Sequence, residues 1–147
     1  MHDVAKFLHV AAAVFWLGGI GFLLFVLRPV AMAQLQPATR LPMMTAVLRR
    51  FFVLVWLSVV TLALTGAYGM AAAGRPHPAG WHAMAAIGML MFLLFGHVYF
   101  SPFRKLKAAV AAADWPAGAR AIEQIVRFAR VIFALGWLAI GAVLALR

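Results

Sequence analysis

The residues of this chain best able to do chemistry are its five histidines, since it has no cysteine and only three carboxylates. His9 lies two residues inside the first apolar run and His82 two residues inside the third. Those runs cross a bilayer in the same direction, so at 1.5 Å of rise per residue both rings sit about 3 Å below one surface. His2, near the terminus, and His77, in the turn before the third run, flank that level. Clustered imidazoles suit copper, haem iron or zinc. His9 and His82 are the expected principal ligands, with His2 and His77 in support. The competing reading makes these histidines interfacial rings, each with an apolar body and a wet polar tip.

Helical phase extends the candidate set. His9, Ala12, Ala13, Trp16 and Gly19 repeat on one face of the first run, where the small residues leave a gap. The gap would admit a flat macrocycle, with Trp16 and Gly19 shaping its pocket, or would let a neighbouring helix approach closely. In the third run Met89, Leu93, Gly96 and His97 all fall within about 60° of His82, so one face carries three donors. His82 and His97 are about 22 Å apart along the axis and cannot share an ion. They would mark two sites, or rungs of a path with Met89 between them. Met84, about 200° from His82, and Met70, about 140° from Thr65, are set aside as pointing away from the interior. Ser58, Thr61, Thr65 and Tyr68 form a polar stripe on the second run, expected to turn inward and to bond between helices.

The elements that must position these groups follow from composition. Of 147 residues, 67% are apolar and the mean hydropathy is +1.00. A soluble domain of this size has too little interior to hide that surplus, so the surrounding medium is expected to be lipid. Four runs reach the length of about 20 residues that a helical span requires: 7–27, 51–73, 80–100 and 125–146. The alternation of barrel strands is missing, which leaves helices as the means of satisfying the backbone in hydrocarbon. The expected fold is an all-α, polytopic four-helix bundle forming one membrane domain over residues 1–147. Its connections at 28–50 and 101–124 carry eight of the thirteen basic residues, and Arg127 and Arg130 in the first turns of the fourth run bring that side to ten. By the positive-inside rule these face the cytoplasm, placing both termini and the 74–79 turn outside, on the periplasmic side. Ser101-Pro102 and Asp114-Trp115-Pro116 each read as a helix start, so the second connection is expected to be two helical pieces around a tight corner. Ala31-Met32-Ala33 resembles a signal-peptidase site, but the run before it is long for a signal and its flank carries the positive charge of a retained span.

Several function classes drop out. Without cysteine there are no thiolate metal sites, iron-sulfur clusters or thiol nucleophiles. Asp3, Asp114 and Glu123 all lie outside the apolar runs, so neither a carboxylate pair nor a Ser/His/Asp set can be assembled, and enzyme activity is not expected. The net charge of +10 is spread between apolar runs rather than packed into a patch, which favours anionic lipid over nucleic acid.

The segment from Leu8 to Gly19, reading LHVAAAVFWLGG, and Val26-Leu27-Arg28-Pro29 resemble the opening of CopD-family proteins of bacterial inner membranes. Arg49-Arg50-Phe51-Phe52, the run from Leu94 to Arg104 and Ala113-Asp114-Trp115-Pro116 are similar to the short stand-alone branch of that family. The resemblance implies a multi-pass inner-membrane protein that binds or transfers copper. It also implies a periplasmic copper carrier or a redox partner, beside the bilayer and the anionic lipid at its cytoplasmic connections. The chain is also similar, more distantly, to HemJ-type protoporphyrinogen oxidases, in which a first-span histidine is associated with haem. Trp81-His82-Ala83-Met84 has Met where that pattern has Lys, which argues against the oxidase activity and leaves a haem site open. Copper at His9 and His82 is the leading expectation. A b-type haem on the same pair is the first alternative, and a noncatalytic assembly or scaffold subunit the second.

Overall fold

The computed structural model describes residues 2–74 and 76–146, with His2 described by its backbone alone. Among these residues every regular element is helical. α1 (His2–Phe22) passes through a π-helical turn (Leu23–Leu27) into α2 (Arg28–Gln34); α3 (Pro37–Ala72), α4 (Ala79–Phe100), α5 (Pro102–Ala111) and α6 (Trp115–Ala145) follow. Four stretches are long and apolar enough to cross a membrane: α1 with its extension, α3, α4 and α6. The expected all-α four-helix bundle is what forms.

The helices run well beyond the apolar windows. α3 begins at Pro37 and not near residue 51, so the first connection between long helices shrinks to Leu35 and Gln36. Its polar opening is stabilised by tertiary packing, with Leu41, Met44, Thr45 and Leu48 buried. α5 and α6 meet at the tight corner expected from Asp114. Its side chain accepts a hydrogen bond from the Ala117 N–H at 3.1 Å, Pro116 follows in the first turn, and Ala113 takes the left-handed conformation with φ 54°.

The π-helical turn has a local cause. Pro29 has no N–H to donate and its ring crowds the carbonyl one turn back, so the helix before it widens and the Arg28 N–H reaches Leu23 O, five residues away. Arg28 is thereby turned toward α6, where it pairs with Glu123.

α1 packs chiefly on α3 and α4 chiefly on α6. The two pairs are joined by aromatic contacts. Trp16 of α1 stacks on Phe92 at 5.9 Å and meets Phe95 edge-on at 6.1 Å; Phe52 of α3 meets Phe95 at 5.4 Å and Phe103 of α5 at 4.8 Å. Between them remains a space of about 50 Å³, lined by apolar side chains with Arg28 as its one charged wall. Outward, Phe15, Leu57, Leu64, Leu93, Trp137 and Leu144 are exposed, as lipid-facing residues must be. At the end opposite His9, His77 and His82, α5 buries Phe103, Leu106 and Ala109 and exposes Arg104 and Lys105.

Candidate metal centre

The N-termini of α1 and α4 and the C-termini of α3 and α6 share one end of the bundle, since neighbouring long helices run in opposite directions. The Gly80 N–H donates to Leu146 O at 3.0 Å, tying the start of α4 to the end of α6. A Cβ on Gly80 would lie 2.7 Å from Ala142 O and 3.1 Å from Val143 Cα, both backbone atoms, so glycine is what permits this approach. Before α4, Pro76 lies in a bend and Pro78 is extended, with φ −55° and ψ 146°, so that Pro76 and His77 fold back beside Met70 and Ala71 at the end of α3.

That fold-back assembles an open recess lined by Met70, Ala71, Pro76, His77 and His82. The His77 and His82 rings have centroids 5.8 Å apart and planes inclined at 61°. His77 also lies flat on Trp81, at 5.9 Å and 5°. Its Nδ1 is buried and has no hydrogen-bond partner among the described residues. A buried polar atom left unpaired costs about 1–3 kcal/mol, a deficit that a ligand at that nitrogen would remove.

His9 is held differently. Its Nδ1 lies 2.8 Å from Thr65 Oγ1 on α3, and its Cε1 is 3.6 Å from where a Cβ on Gly66 would stand. The structure thus sets His9 of α1 against α3 and gathers His82 with His77 and Met70. The inward-turning stripe is present in part: Ser58 is buried and Thr65 bonds to His9, while Tyr68 is exposed.

Trp16 and Gly19, expected to shape a cofactor pocket, are used in packing. Trp16 is 2% exposed between Phe92 and Phe95, and a Cβ on Gly19 would collide with the ring of Phe51. The small residues serve the close approach of α3. The interior space of about 50 Å³ is far below the roughly 300 Å³ at which pockets for organic ligands begin.

The face joining His82 to His97 was expected to look inward and instead looks outward: Met89 is 59% and Leu93 65% exposed. Helical phase puts these donors on one face without saying which way that face points. The buried side of α4 is the opposite one, with Gly80, Met91, Phe95 and Val98; Gly80 meets α6 and Phe95 meets Trp16 of α1 and Phe52 of α3. His97 is exposed and lies 5.0 Å from the ring of Phe128. The side chain of His2 lies outside the described residues, as does Arg75.

Met70 was passed over because it points away from Thr65 on α3, yet it lines the recess. The sequence did hold a signal for it. Residues within a turn of a short helix-to-helix connection are brought together whatever their phase, and Met70, His77 and His82 all flank the 73–78 turn. Among the described residues no three His, Asp or Glu side chains converge as a metal cage. Two imidazoles and a thioether are what remain. Zinc takes four ligands, of which at least three come from protein, whereas Cu(I) accepts two or three soft or imidazole donors.

Comparison with curated proteins and with solved structures finds no match. A family model described as copper resistance protein D matches residues 45–146, more than two thirds of the chain. The matched region contains Met70, His77, His82, Met89 and His97, and His9 precedes it. A bundle with four helices long and apolar enough to cross a membrane is thus joined by a match over most of its length, and the chain belongs to the copper resistance protein D family.

Proposed function

We propose that this membrane protein takes up Cu(I) as cargo at its histidine end, through Met70, His77 and His82, with His9 as a donor further in. The observation that carries the reading is a recess lined by two imidazoles and a thioether, with the Nδ1 of His77 buried and without a partner among the described residues. Family membership supplies the element, and the donor types favour its reduced ion. Basic residues gather at the opposite end, so the positive-inside rule sets the recess on the outer face of a bacterial inner membrane. There a periplasmic carrier would pass its ion by ligand exchange, each incoming donor replacing an outgoing one without a change in oxidation state.

The test is Cu(I) retention by protein purified in detergent, measured by competition with a colorimetric chelator, with an absorbance spectrum on the same sample. Wild type should hold one ion at the recess, and the His77→Ala/His82→Ala double variant should lose it. Equal retention by both overturns the recess. A reduced Soret band would replace copper with haem, and neither metal nor chromophore would leave a scaffold.

A further inference from the structure

Thr65 has one hydroxyl proton and three polar neighbours, of which Leu62 O, at 3.4 Å, is the most distant. Its Oγ1 lies 2.6 Å from Thr61 O, the carbonyl one turn earlier on α3, and 2.8 Å from His9 Nδ1 on α1. Two oxygens at 2.6 Å repel unless a proton lies between them, so the hydroxyl proton is directed at Thr61 O. The contact with His9 is then one in which Thr65 accepts, and the only proton available for it is on His9 Nδ1. A neutral imidazole protonated at Nδ1 has an unprotonated Nε2 with its lone pair free. Gly66 to Met70 is four residues, so His9 stands about 6 Å, one helical turn, further into the bundle than the recess.

We infer that Thr65 is a positioning residue: it fixes His9 in the Nδ1–H tautomer and so presents Nε2 as the donor atom of an inner Cu(I) station below the mouth recess. The copper part rests on the function proposed above; the tautomer part does not. Metal-bound histidines generally have their second nitrogen oriented by such an outer partner, whose removal weakens binding by about 10–100-fold. The backbone of α3 supplies the anchor here, because the Thr61 carbonyl takes the hydroxyl proton and leaves Thr65 only its acceptor side.

Two readouts on the full chain in detergent or nanodiscs separate the parts. The first is ¹⁵N NMR of histidine-labelled protein without metal, assigned with His9→Ala. Wild type and Thr65→Ser should show His9 protonated at Nδ1 and bare at Nε2, and Thr65→Val should show a mixture or the reverse. A wild-type His9 protonated at Nε2 overturns the inference. The second is Cu(I) competition in the His77→Ala/His82→Ala background, where the recess keeps only Met70 and His9 is the remaining imidazole at this end among the described side chains. Residual affinity should fall 10–100-fold with Thr65→Val, survive in Thr65→Ser and vanish with His9→Ala. Residual binding indifferent to His9→Ala removes the station while leaving the recess intact. No Cu(I) binding by wild type overturns the function and the station together, and the tautomer result then stands or falls by NMR alone. Thr65→Val keeps the side-chain volume, and Thr65→Ser controls for loss of fold.

Discussion

At the scale of single residues, the end of the bundle near the 73–78 turn is distinguished by donors whose hydrogen-bonding capacity is not used up. His77 has a buried nitrogen without a partner among the described residues, and Met70 has a thioether that is a weak acceptor and a soft metal ligand. These two contribute differently. Met70→Leu keeps the apolar volume and removes only the sulfur, so it should lower Cu(I) affinity about tenfold in a chelator competition while leaving thermal unfolding unchanged. His77→Phe keeps the stacking on Trp81 and removes both nitrogens, so it should abolish recess binding and slightly raise the unfolding temperature, because an unpaired buried atom goes with it. Met89→Leu, on the exposed side of α4, should alter neither quantity; a loss of affinity there would return a conducting path to consideration.

At the scale of elements, the site depends on how α4 meets α6 and on how α1 is bent. Gly80→Ala sets a methyl against backbone atoms of α6 that have no side-chain freedom to yield. About 1–3 kcal/mol of overpacking is expected, seen as a lower unfolding temperature together with weaker Cu(I) binding, since His82 is two residues away. At the other end, the π-helical turn before Pro29 turns Arg28 toward Glu123, and the guanidinium Nε is left buried without a partner. Glu123→Gln removes the carboxylate while the arginine stays largely enclosed. Because Glu123 is half exposed, the loss should be about 1 kcal/mol or less, a small downward shift in unfolding temperature with no change in Cu(I) affinity. A large shift would mean that the pair is far better shielded than its exposure indicates.

At the scale of the whole molecule, the chain is an apolar bundle with donors at one end and cations at the other, and the membrane reads that asymmetry as orientation. The chain has no cysteine, so single substitutions give clean reporters. Gly74→Cys, in the turn beside the recess, should react with a membrane-impermeant maleimide on bacteria whose outer membrane alone is opened. Ala112→Cys, at the corner between α5 and α6, should react only after the inner membrane is breached. The reverse pattern would invert the topology and move copper capture to the cytoplasmic side.

Four apolar runs of membrane length, the lack of cysteine and the segregation of basic residues made the fold class legible from the sequence, because lipid leaves a backbone few alternatives to the helix. The corner at Asp114 and the candidacy of His9, His77 and His82 were legible for the same local reasons. Tertiary structure decided which donors meet. Helical phase ranks residues around an axis and carries no information on the azimuth of that axis in the bundle, so the His82–Met89 face was assigned inward when packing on α6 turned it outward. Nor does phase describe what lies beyond a helix end, where the return of Pro76 and His77 brought Met70 to His77 and His82. The partner of His9 is likewise a matter of which neighbour lies nearest, and the packing of α1 on α3 made it Thr65.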